Sequence, residues 1–135
     1  MSDSPESAIP RVVVIDDDHE ILKLIVMLLR RIGAEAATFA DGQTAMAYLS
    51  AETPDLIVLD LMLPDVDGFE ILSQVRTQPQ FDRVPVLILS AKANSESIRQ
   101  GLELGADGYI TKPYIANTLI DKVRHMLHSE RTKQP

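Results

Sequence analysis

Residues 56–68 read LIVLDLMLPDVDG, and their pattern decides the fold. Four apolar residues run without a break into Asp60, after which Pro64 and Gly68 turn the chain. An unbroken apolar run, rather than an alternating one, marks a strand covered on both faces, as in a parallel sheet. A carboxylate at the end of such a run sits at the lip of that buried sheet. Carboxylates are rarely buried unpaired, so Asp60 requires water or a cation beside it.

Outward from this stretch the same pattern recurs. RVVVIDDD (11–18) brings four β-branched residues up to three aspartates, and VPVLILS (84–90) is a third apolar run that ends in Ser90. AEAATFA (34–40) reads as a weaker strand, and GYITKP (108–113) as a short one carrying Lys112 and stopped by Pro113. Helical patterns fill the intervals. Asp18 is placed to cap a helix with Ile21, Leu24, Ile25, Leu28 and Ile32 on one face and Gly33 as its stop. Leu22, Val26 and Met27 make that helix apolar beyond a single stripe, which suits either packing or a docking surface. Further helices are expected from Asp41-Gly42 through Leu49, from about Asp67 to Arg76, from Ser95 to Leu104 and from Ile115 to Leu127, with TQPQFDR (77–83) as a loop. Strands alternating with helices in this way give an α/β domain with a parallel sheet and right-handed crossovers. The 135 residues suit one such domain, at 11–128, between a flexible N-terminal segment (1–10) and a polar C-terminal tail (129–135).

Composition narrows the function classes. A formal charge of −7 argues against nucleic-acid binding by the domain itself, because phosphate contacts need clustered Lys and Arg. The absence of cysteine rules out disulfides, thiolate metal sites and a Cys nucleophile. No apolar run approaches the ~18 residues of a membrane span, and residues 1–10 show no basic-plus-apolar signal segment, so a cytoplasmic location is expected.

In an open parallel sheet, ligands bind outside the carboxyl ends of the strands. Asp16, Asp17, Asp60, Ser90 and Lys112 follow four different strands, so the fold rule gathers them at one edge. Each alone has a plain reading as a helix cap, a solvated carboxylate or a satisfied hydroxyl. Together they suit a cation and a phosphoryl group. Oxygen-only ligands with room for water favour Mg²⁺, with Mn²⁺ as its substitute, over Zn²⁺. A lysine and a hydroxyl match the charge spread over phosphoryl oxygens, and a carboxylate can itself be the nucleophile that carries an acyl phosphate.

The motifs VVVIDDD, PDLIVLDLMLPDVDG, VPVLILSAK and GADGYITKP, in this order, resemble the receiver domain of two-component response regulators from about Arg11 to Leu127. The resemblance implies a flavodoxin-like sheet of strand order 2-1-3-4-5 with five helices on both faces. It implies that Asp60 is the phosphoacceptor and Asp17 the main acidic metal ligand, with Asp16 acting through water and Met62 offering its backbone carbonyl. Ser90 and Lys112 would each contact a phosphoryl oxygen, the Lys112–Pro113 bond would be cis, and Tyr109 would hold the switch-aromatic position. The partners implied are a histidine kinase or histidine phosphotransfer protein and a downstream protein target. The output surface would be the fourth helix, fifth strand and fifth helix, in a monomer or a phosphorylation-dependent homodimer. The domain would signal rather than turn over substrate, apart from self-catalysed phosphorylation and slow autodephosphorylation. Met62 cannot orient a water by a strong hydrogen bond and Lys92 stands beside the phosphoryl position, so a long-lived phosphoryl state is expected. Asp65 and Asp67 read as loop and helix-cap residues.

Three other readings compete. A flavodoxin-like FMN carrier would need phosphate-binding groups after the first strand, where three aspartates stand. A haloacid-dehalogenase-like phosphatase needs a second Asp two residues beyond the nucleophile, where Met62 stands. A degenerate receiver that only binds protein would not need the intact acidic set.

Overall fold

In the computed structural model, which describes residues 8–129, five parallel strands form one sheet in the order β2-β1-β3-β4-β5. The strands are β1 (Arg11–Ile15), β2 (Glu35–Phe39), β3 (Leu56–Leu59), β4 (Val86–Ser90) and β5 (Gly108–Thr111). The helices are α1 (His19–Arg31), α2 (Gly42–Leu49), α3 (Gly68–Arg76), α4 (Ser95–Glu103) and α5 (Ala116–His128). Apart from residues 8–10 and 129, the segment and tail expected at 1–10 and 129–135 lie outside the described residues. Among the described residues no helix is long and apolar enough to cross a membrane.

The unbroken apolar strands are buried on both faces, as their sequence requires. Alternation along them divides the core in two. Val13, Ile15, Ile57, Leu59 and Ile88 face α2, α3 and the buried Phe81. Val12, Val14, Val58, Leu87 and Leu89 face α1 and α5. Helix α4 joins the first layer by a close approach at Gly101, where a Cβ would stand 2.7 Å from Ile88 Cδ1.

Two expectations need correction. Helix α1 buries Leu22, Ile25, Leu28 and Leu29 rather than the Ile21–Leu24 side, and Leu24 is 39% exposed. The helix is apolar around more than half its circumference, so periodicity alone left its rotation open. Leu22 therefore packs, while Met27 stays exposed. The TQPQFDR stretch is not plain loop, because Pro79–Phe81 form a 3₁₀ turn that places Phe81 in the core.

The first three helices are capped by acidic residues. Asp18 accepts from the Glu20 and Ile21 amides, Asp41 from Thr44 and Asp67 from Phe69, each at the start of its helix. Gly33, with φ +80°, ends the turn after α1 in the left-handed region.

Candidate functional site: an acidic centre at the sheet edge

Ladder hydrogen bonds carry on one step past the strand ends and fix the residues that matter. The Asp16 amide donates to Phe39 O, the Asp60 amide to Ile15 O and the Lys112 amide to Ser90 O, at 2.9–3.0 Å. The backbone thus delivers Asp16, Asp60, Ser90 and Lys112 to one lip of the sheet. Asp16 is 2% exposed, Asp60 4% and Ser90 fully buried. Asp17 is exposed, and its carboxylate joins those of Asp16 and Asp60 with oxygens within 4.8 Å of one another.

One ammonium group holds this cluster together. Lys112 Nζ lies 2.7 Å from Asp16 Oδ2 and 2.9 Å from Asp60 Oδ2. The second oxygens take backbone donors, Asp18 N–H onto Asp16 Oδ1 at 2.9 Å and Met62 N–H onto Asp60 Oδ1 at 3.0 Å. Burial pushes the Asp16 carboxyl above the usual carboxylate range, and the hydrogen bond from Lys112 only partly offsets this. Burial opposes charge on Lys112 as well, yet its bonds to Asp16 and Asp60 prevail and raise its pKa, so the lysine stays protonated. Three clustered carboxylates, of which the lysine pairs with two, have room for a second cation. Oxygen donors alone, two buried and one open to water, fit a hard divalent cation that keeps part of its hydration.

The loop after Asp60 is held from below. Gly68 N–H donates to Leu61 O at 3.0 Å, and a Cβ on Gly68 would stand 2.4 Å from Leu61 Cα. Only glycine fits there. Met62 lies on this loop, 52% exposed, with its backbone bridged to Asp67. Asp65 leaves the loop sideways and accepts from the Gly42 and Gln43 amides at 2.8 and 2.9 Å. It is a loop residue, as expected, and it also caps α2 from outside that helix.

On the other flank, the Lys92 amide approaches Ser90 Oγ at 3.3 Å. Tyr109 donates its hydroxyl to Lys92 O at 2.6 Å, which ties β5 to the loop before α4. Burial and then the charge of Asp60 push the Tyr109 hydroxyl pKa up. The Lys92 ammonium rests 5.4 Å from the Phe69 ring centroid. The Lys112–Pro113 peptide is cis. Beyond it lies an apolar groove of about 510 Å³, lined by Ile21, Leu24, Ala91, Lys112, Pro113 and Tyr114 among others. Sequence reasoning did not single out Tyr114. Its one signal was an aromatic ring two residues after Lys112.

Known proteins resemble the chain in sequence and in fold. A family model described as the response regulator receiver domain matches residues 12–124. The chain is 43% identical over 117 residues to regulatory protein VanRc of Enterococcus gallinarum, covering 87% of this chain and 49% of that protein. It is 38% identical over 125 residues to the alkaline phosphatase synthesis transcriptional regulatory protein PhoP of Bacillus subtilis, covering 93% and 51%. The solved structure of chemotaxis response regulator CheY4 of Vibrio cholerae superposes with a TM-score of 0.82 at 30% identity, covering 88% of this chain and 99% of that one. The chain spans about half the length of the curated relatives it matches.

Proposed function

The chain belongs to the response regulator receiver domain family, and from that membership we propose that Asp60 accepts a phosphoryl group from a phosphohistidine on a kinase or a histidine phosphotransfer protein. An Asp60 carboxylate oxygen attacks phosphorus, the bond from phosphorus to the histidine nitrogen breaks, and an acyl phosphate forms on Asp60. The single observation that carries this reading is Lys112 bridging Asp16 and Asp60, a cation already poised over the nucleophile. A divalent cation, Mg²⁺ or its substitute Mn²⁺, would be held by Asp17, Asp60, the Met62 carbonyl and, through water, Asp16. It supplies charge neutralisation for the transferring oxygens.

The chain's own residues then respond. Asp60 gains about 1.5–2 negative charges. Lys112 turns from the carboxylates to a phosphoryl oxygen, and Ser90 donates its hydroxyl to another. The Lys92 amide sits on Ser90 Oγ and the Tyr109 hydroxyl on Lys92 O, so a shift of Ser90 reaches Tyr109 through one peptide segment. The surface of α4, β5 and α5 is the output, presented to a downstream protein by a monomer or a phosphorylation-dependent dimer. The domain acts in the cytoplasm, signals rather than turns over substrate, and its net charge of −7 keeps it from contacting nucleic acid itself.

Acetyl phosphate with Mg²⁺, followed by intact mass, tests the reading. One phosphate should be gained, and none in Asp60→Ala; no gain in the wild type at saturating donor overturns the function. The phosphoryl state should last minutes or longer, because Met62 gives the hydrolytic water no strong hydrogen bond, and a lifetime of seconds would contradict that point.

A further inference from the structure

The loop between β3 and α3 is fastened to a helix that contributes no residue to the acidic centre. Asp65, near the tip of that loop, accepts from the Gly42 amide on one oxygen at 2.8 Å and from the Gln43 amide on the other at 2.9 Å. Val66 closes the same joint, since a Cβ on Gly42 would stand 3.1 Å from Val66 Cβ. Helix α2 does not depend on Asp65 for its cap, because Asp41 already accepts from the Thr44 amide at 2.8 Å. Gln43 is exposed, so water could serve its amide equally well. What the two bonds fix is the loop.

A second anchor lies at the base of the loop. Gly68 N–H donates to Leu61 O, and the Met62 backbone is bridged to Asp67. The Met62 amide donates to Asp60 Oδ1 at 3.0 Å, so the residue whose carbonyl is counted above among the cation's donors sits directly against the nucleophile. Met62 thus stands between the base, tied to β3, and the tip, tied to α2. A carbonyl on a loose loop must be ordered when an ion binds, and that ordering lowers affinity.

We infer that Asp65 is a positioning residue for the divalent cation: by fastening the loop tip to α2, it holds the Met62 carbonyl in place as a ligand. The inference rests on the cation site of the function proposed above and extends it to a residue and a helix outside that site. Coupling of this kind is reciprocal, so the bound ion must in turn tighten the joint at Asp65.

The test is a Mg²⁺ titration of the full chain followed by amide NMR, well below the melting temperature of each variant and with no phosphoryl donor present. Asp65→Ala should bind Mg²⁺ about tenfold more weakly than the wild type, the lower end of what a residue supporting a metal ligand contributes. Asp65→Asn keeps one acceptor oxygen and should fall between the two. Asp41→Ala strips α2 of its own cap but leaves the loop fastened, and it should bind Mg²⁺ as the wild type does. Wild-type affinity in Asp65→Ala overturns the inference. So does an equal loss in Asp41→Ala, which would trace the effect to fraying of α2. Should the Asp65 variants fail to fold, amide exchange in the wild type decides. Mg²⁺ should slow exchange at Gly42 and Gln43 relative to Thr44, and unchanged exchange overturns the inference. A wild type that shows no response to Mg²⁺ removes the cation site itself and this inference with it, whereas Mg²⁺ binding without regard to Asp65 removes only this inference.

Discussion

Lys112 donates to Asp16 and Asp60 from one ammonium group, so neighbouring carboxylates share a single positive charge. Asp16 is nearly inaccessible, and its carboxylate without a cation would be an uncompensated buried charge. Lys112→Met should therefore lower the unfolding free energy by about 3 kcal/mol in chelator-treated protein. Adding Asp16→Asn should restore more than half of that loss, because the unpaired charge goes with it. Urea unfolding of the two single variants and the double variant reads the coupling, and strictly additive losses would show that the bond contributes nothing beyond its parts. At this scale the sequence was unusually informative. Each site residue follows an apolar run, and the strand-end rule needs only that position. Tyr114 was not legible, because the lack of a partner for its hydroxyl among the described residues shows only in three-dimensional packing.

Helix α2 shows how an element can be anchored by another element's loop. Asp41 satisfies the Thr44 amide locally, but Gly42 and Gln43 donate to Asp65, more than twenty positions further along the chain. Those bonds hold the Asp65 carboxyl below the usual carboxylate range. The sign follows from linkage: a carboxyl lowered in the folded state stabilises fully above its unfolded value of about 4 and loses that effect as pH falls through the folded value. Asp65→Asn should thus melt below the wild type at pH 7, and the gap should close in strong acid, where both side chains are neutral. Melting curves at pH 7 and pH 3 check this, and a gap of the same size at both would exclude a charge-dependent cap. The helix starts were readable because Asp18, Asp41 and Asp67 carry a local capping pattern. Asp65 acts across the chain, where no local pattern points. The rotation of α1 failed for a related reason, since Ile21, Leu22, Leu24 and Ile25 offer two apolar faces and only the sheet above selects Leu22.

Across the whole molecule, the two ends of the sheet do different work. The acidic cluster and Lys112 occupy the carboxyl ends of the strands, while Arg76 closes the opposite end. Its guanidinium donates to Gly105 O, Phe81 O, Val84 O and Asp107, joining α3 and the 3₁₀ turn to the starts of β4 and β5. Arg76→Met should destabilise the fold by about 3 kcal/mol, since several hydrogen bonds and a shielded ion pair are lost together. Phosphoryl uptake by the folded fraction should be unchanged. A selective loss of uptake with normal stability would show that the two ends are coupled. The strand and helix alternation gave no hint of this clamp. These four partners of Arg76 lie at least five residues away, and an arginine near a helix end usually reads as a solvated charge.

The crowding of Asp16, Asp17 and Asp60 has an evolutionary consequence. A fold that keeps three carboxylates around one lysine holds itself below the stability its core would otherwise give. Lineages freed from signalling would drift toward amides or alanine at these positions and gain robustness by doing so. The triad in that sense runs against the direction in which stability alone would push the sequence.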